Sequence, residues 1–241
     1  MINNIFEMTI TRILTVYVVQ GFLCIFFLYI AYRIIQRGKK RINLVFSAFY
    51  FTEGIGLIIN FIYAPIEITD TVIFFNFLTN FCVLFGIVLL FLFVLILLKS
   101  EKVINTTKQM IILITNGVIL VCMVLIAFIP DLGVTMEAPD WAPVWGWIIY
   151  VYAISIMSLL IILPTLFYAY KIYQDFEDEL LKKKWKFFII GCLFLYSYIY
   201  AVFTSNFLNI KIVRTINNIL GLILVVSGSL LTYYGVGRQI D

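Results

Sequence analysis

Apolar residues run through this chain in long, unbroken stretches instead of alternating with polar ones. The runs cover roughly residues 12–35, 43–64, 71–98, 109–129, 144–173, 187–208 and 215–234. Each is near or above the 20 or so residues that an α-helix needs to cross a bilayer, and none shows the period-two alternation of a barrel strand. In lipid every backbone donor and acceptor must be satisfied internally, so continuous apolar runs become helices. The pattern therefore predicts an all-α integral membrane fold, a bundle of seven transmembrane helices forming one domain over residues 1–241.

Composition agrees, with 63% apolar and 12% charged residues and a mean hydropathy of +1.08. Soluble domains lie nearer half apolar and a quarter charged. The first run lacks a basic start and a small-residue cleavage pattern, and it is preceded by Glu7 and Arg12, so it is expected to be retained as a span.

Charge sets the expected orientation. Arg33, Arg37, Lys39–Arg41, Lys99, Lys102, Lys108, Lys171, Lys182–Lys184, Lys186 and Arg238 fall on one side, and only Arg12, Lys211 and Arg214 fall on the other. Cytoplasmic loops collect Lys and Arg, so the N-terminus is expected outside and the C-terminus inside. The opposite connections, APIEITD and PDLGVTMEAPDWAP, are acidic and proline-rich, and Trp141, Trp145 and Trp147 beyond them fit an interfacial aromatic belt. The inner segment QDFEDELLKKKWK, residues 174–186, is acidic and then basic, as expected of a helix prolonging the fifth or sixth span.

LYIAYRIIQ (28–36) and LFYAYKIYQ (166–174) repeat Leu, Ala, Tyr, Ile and Gln in register at the inner ends of the first and fifth spans. This points to a duplication in which spans 1–3 and 5–7 are related and span 4 joins them. A Tyr and a cation favoured at the inner interface explain the same match without duplication.

One carboxylate interrupts the second run. Glu53, in FYFTEGIGLI, stands ten residues above the inner end, about 15 Å along a helix and so at mid-membrane. A charge there costs roughly 2.5–3.5 kcal/mol, and such residues commonly face the bundle interior and mark function. No Lys or Arg lies at that depth, so a neutral carboxyl, donor as well as acceptor, is expected. Tyr50, Gly56 and Asn60 share its face; Asn76, Thr79 and Asn80 share a face of the third span; Tyr196, Ser197, Tyr200 and Thr204 stand on the sixth. The candidate ligand-binding set is Glu53, Asn60, Asn76, Asn80, Tyr196 and Tyr200, lining a cavity that opens outward. Interhelical hydrogen bonds, worth about 0.6 kcal/mol each on average, are the competing role for these polar groups.

The chain has no histidine, which removes imidazole-ligated metals and haem, and Ser-His-Asp hydrolysis. Its cysteines, Cys24, Cys82, Cys122 and Cys192, all fall inside apolar runs, as packing residues do. No cofactor, metal or nucleic-acid partner is called for, and no enzyme activity is expected, since no convergent pair of carboxylates exists for acid–base work. The seventh run, NNILGLILVVSGSLL, lacks a retinal-binding lysine, and LLKSEKV and LLTYYGVG stand where G-protein-coupled receptors carry their inner motifs.

Short loops, the basic first inner loop RGKKR and the long third run resemble the N-terminal seven-helix sensory regions of some histidine kinases. That resemblance implies a receptor-like sensor for a small or lipidic ligand. Only GVGRQID follows the seventh run, so output is expected through a separate cytoplasmic signalling protein meeting residues 36–42 and 174–186. A small-solute transporter or channel using Glu53 as proton or cation site is the alternative.

Overall fold

The computed structural model describes residues 10–130, 132–137 and 142–236. Glu7, Trp141 and Arg238 lie outside these. Among the described residues seven helices are long and apolar enough to cross a membrane: α1 (Leu14–Gln36), α2 (Arg41–Tyr63), α3 (Thr69–Val103), α4 (Thr106–Ala127), α5 (Trp147–Asp175), α6 (Glu179–Leu208) and α7 (Lys211–Val236). The chain is thus a multi-pass membrane protein.

Helix boundaries follow local chemistry. The Asn105 side chain accepts from the Lys108 N–H at 3.0 Å and starts α4, and Asp178 accepts from Leu180 N–H at 2.7 Å and starts α6. Such caps satisfy donors that the first helical turn leaves free. The basic half of segment 174–186 therefore belongs to α6, and Trp185 within it is buried, its indole N–H donating to the Ala169 carbonyl of α5 at 2.6 Å. Glu101, just past a corner at Ser100 (φ 68°), accepts from the Ile42 N–H at 3.2 Å and places a carboxylate on the N-terminus of α2. Asn209 closes α6 in the left-handed conformation that asparagine tolerates.

Two stretches widen into π turns. In α5 the π segment Met157–Ile162 directly precedes Pro164, whose ring would collide with the carbonyl of Leu160 in a regular helix. The kink expected at Pro164 thus takes the form of a wide turn. The π segment Leu14–Gln20 of α1 ends at Gln20.

α3 is the central helix, its apolar stretch the most buried of the seven, packed against α2, α4 and α5; α4 is peripheral. The tightest crossing joins α6 and α7. A Cβ on Gly191 would stand 2.6 Å from the Gly228 carbonyl oxygen and 2.7 Å from the Thr232 nitrogen, so only glycine lets these backbones meet. Just past the C-terminal end of α1, Arg37 reaches α7, its guanidinium 4.0 Å from the Tyr233 ring centre.

The loop between α4 and α5 holds a hairpin, with β1 (Val134–Glu137) antiparallel to β2 (Ala142–Trp145) and Val134 opposite Trp145. Arg214 of α7 donates to the Pro143 carbonyl at 2.7 Å and ties this hairpin to the bundle. Trp145, expected in an interfacial belt, is instead 2% exposed and lies against Phe203 of α6 with ring centres 4.6 Å apart. Strand pairing turns that side chain inward. Trp147, two residues on, is exposed as the belt requires.

Candidate functional site

Glu53 sits midway along α2, its side chain laid across Gly86 of α3. A Cβ there would meet its Oε1 at 2.6 Å and its Cδ at 3.2 Å, so the absence of a side chain at position 86 makes the carboxyl's berth. Glu53 is 8% exposed, and among the described residues it has no hydrogen-bond or ion-pair partner. Its exposed fraction opens on a cavity of about 140 Å³ walled by α1, α2, α3, α6 and α7.

Polar groups gather at the end of that cavity lined by Gln20, Asn60, Thr79 and Asn80. Gln20 and Asn60 join α1 to α2 through a hydrogen bond from the Asn60 amide to the Gln20 carbonyl oxygen. The wide turn that ends at Gln20 rotates this amide onto the wall, a placement in keeping with the use of π turns at functional positions. Asn80 donates to the Asn76 backbone carbonyl at 2.8 Å and to its side-chain oxygen at 3.2 Å, which leaves its own amide oxygen free. Thr79 is also on the wall, but its hydroxyl is turned away from the cavity, buried beside Tyr63 without closing a hydrogen bond. The rest of the wall is apolar, from Leu23, Phe27 and Phe49 on one side to Leu195, Ile199 and Val202 on the other.

Of the residues singled out from the sequence, Glu53, Asn60 and Asn80 meet on this cavity. Glu53 lies level with Gly86, six residues further along α3 than Asn80, so the two are separated by about 9 Å of helix. Asn76 stands behind the wall, its amide donating to the Tyr63 hydroxyl at 3.2 Å and bracing Asn80. Tyr196 and Tyr200 turn to α5. The Tyr200 hydroxyl is 2.6 Å from Ser158 Oγ, and the Tyr196 hydroxyl is buried beside Thr165 without closing a hydrogen bond. The α6 tyrosine on the cavity is Tyr198, which sequence reasoning missed; its ring covers Gly221 of α7, a glycine spaced to receive it. Thr204 likewise faces α5, 3.2 Å from the Tyr150 hydroxyl.

From Glu53 toward the N-terminal end of α2 the bundle is filled. Phe46, Phe49, Tyr50, Phe93, Trp185 and Phe188 are each 2% exposed or less, with Phe46 stacked on Phe93 and Trp185 on Phe188 at 4.5 Å. Tyr50, one turn below Glu53, donates to the Ser229 carbonyl at 3.0 Å and shares a 2.5 Å hydrogen bond with Thr232, pinning α2 to α7.

No protein-family model, curated protein or solved structure matches the chain, so the site is interpreted from its own geometry.

Proposed function

We propose that this protein is a receptor-like membrane sensor that holds a small or lipidic ligand in the chamber beside Glu53 and signals through a separate cytoplasmic partner. The N-terminus is outside, the C-terminus inside, and the basic segments 36–42 and 174–186 face that partner. One observation carries the reading: a buried carboxyl without a partner, lining a cavity that also holds a free amide oxygen. Buried polar groups are ordinarily hydrogen-bonded, and a ligand completes these. The aromatic fill below the chamber favours sensing over passage, because it offers the ligand no inward route. A ligand that shifts α2 moves Tyr50, and with it the hydrogen bonds to α7.

A specific observation keeps transport as the second reading. The Ala31 carbonyl accepts from Ser47 at 2.9 Å, and the Ala169 carbonyl accepts from Trp185 at 2.6 Å; in both cases the donor lies 16 residues further on, in the next helix. Ala31 and Ala169 occupy the same place in LYIAYRIIQ and LFYAYKIYQ, which supports the three-plus-one-plus-three duplication, an arrangement that transporters use for alternating access.

Proteoliposomes separate the two. Proton and solute flux, followed with a pH-sensitive dye and a panel of labelled small solutes, should match empty vesicles for both the wild type and Glu53→Gln. Flux above that level in the wild type, lost in Glu53→Gln, would overturn sensing in favour of transport.

A further inference from the structure

A second cavity, about 360 Å³, lies in the outer half of the membrane between α1 and α7. Its walls are Leu14, Thr15 and Val19 on one helix and Asn218, Ile219 and Leu222 on the other. The two helices meet at their inner ends, where Arg37 covers Tyr233, and diverge outward: the first buried residue of α7 is Gly221. The cleft lies alongside the Glu53 chamber. Val19 lines the cleft and the adjacent Gln20 lines the chamber; Leu222 lines the cleft and Val225, one turn on, lines the chamber.

Three other sides of the chamber are fastened. Asn60 bonds Gln20 between α1 and α2, Asn76 bonds Tyr63 between α2 and α3, and Asn217 bonds the Ala201 carbonyl between α7 and α6. Trp145 of the hairpin covers Phe203 at the outer end. The α1–α7 side carries the apolar cleft.

Resting on the ligand-binding reading above, we infer that the ligand is a single-chain amphiphile with a hydrogen-bond-donating head, an amine or hydroxyl, which enters sideways between α1 and α7. Its head meets Glu53, and its chain fills the apolar cleft. The chamber offers mostly acceptors, and its lining holds no Lys or Arg. An amine head supplies both the missing donors and the missing positive charge, and it gains the stronger, charge-assisted kind of hydrogen bond. A carboxylate head would bring a charge with no cation among the lining residues to pair with it.

Equilibrium binding of radiolabelled dodecylamine to the full chain in lipid nanodiscs, corrected for empty nanodiscs, tests this. Saturable binding is expected, displaced by unlabelled dodecylamine but not by dodecanoate or methylamine. Glu53→Gln should weaken it about tenfold, the worth of one charge-assisted hydrogen bond. Leu222→Trp, which fills the cleft from a position distant from the carboxyl, should abolish binding with an unchanged melting temperature. If methylamine competes as well as dodecylamine, and Leu222→Trp binds normally, the chamber stands as a ligand site and the lateral route is overturned. Absence of saturable dodecylamine binding overturns the inference. Equal binding by wild type and Glu53→Gln overturns both it and the chamber as the ligand site.

Discussion

Three glycine-to-alanine substitutions separate the kinds of contact that hold this bundle. At Gly191 the added methyl would meet backbone, 2.6 Å from the Gly228 oxygen and 2.7 Å from the Thr232 nitrogen. An ordinary contact there needs about 3.4 Å or more, so α6 and α7 must part by several tenths of an ångström along their tightest crossing. Overpacking of this kind costs about 1–3 kcal/mol. At Gly86 the obstacle is the far end of the Glu53 side chain, 2.6 Å away. That carboxyl swings into the chamber, so Gly86→Ala should change stability by less than about 1 kcal/mol while displacing the acid from its berth. At Gly21 nothing lies within 4 Å of the added methyl, and alanine's better helix propensity makes Gly21→Ala neutral or stabilising by up to about 1 kcal/mol. Reversible unfolding in mixed micelles ranks the three. The order expected is Gly21→Ala, then Gly86→Ala, then Gly191→Ala as the least stable, with dodecylamine binding impaired only in Gly86→Ala among the variants that fold. If Gly191→Ala matches wild type, the α6–α7 contact is looser than described and the packing argument fails.

Other outcomes follow from individual contacts. Trp145→Ala should destabilise by about 3–5 kcal/mol, as removal of a buried tryptophan does, measured by the same unfolding assay; a change below about 1 kcal/mol would mean the hairpin is not seated on Phe203. A double-mutant cycle on Arg37→Ala and Tyr233→Leu should return a coupling of about 0.5–1 kcal/mol for the cation–π contact, and zero coupling would dissolve the inner link between α1 and α7. Tyr200→Phe removes the hydrogen bond to Ser158 and should cost about 0.6 kcal/mol while leaving dodecylamine affinity unchanged; a loss of affinity would return Tyr200 to the ligand site.

The seven helices were legible because lipid enforces continuous apolar runs, and Glu53 stood out because a lone carboxylate in such a run is costly. Which face each helix presents was not legible where both faces are apolar. In α6 tyrosines stand at 196, 198 and 200. A soluble helix would mark its buried side by an apolar stripe, but here lipid-facing and core-facing positions carry the same residue types, and the polar stripe Ser197, Tyr200 and Thr204 was read as the cavity face. Tyr200 and Thr204 serve α5 instead, through Ser158 and Tyr150. The hairpin was hidden for a different reason. Its strands are four residues each, with Pro143 in the second, and pairing across Val134 and Trp145 depends on contacts with α3 and α6 that no local pattern encodes. The α1–α7 cleft is likewise a property of helix splay, and nothing in either apolar run announces it.

The most direct measurement is chemical labelling of Glu53 in the bilayer with an apolar carbodiimide, which reacts with protonated carboxyls from within the lipid, read out by peptide mass spectrometry. Glu53 should be modified, and both dodecylamine and Leu222→Trp should protect it. A Glu53 that stays unmodified, or that is modified equally with and without the amine, would contradict a ligand chamber reached through the α1–α7 cleft.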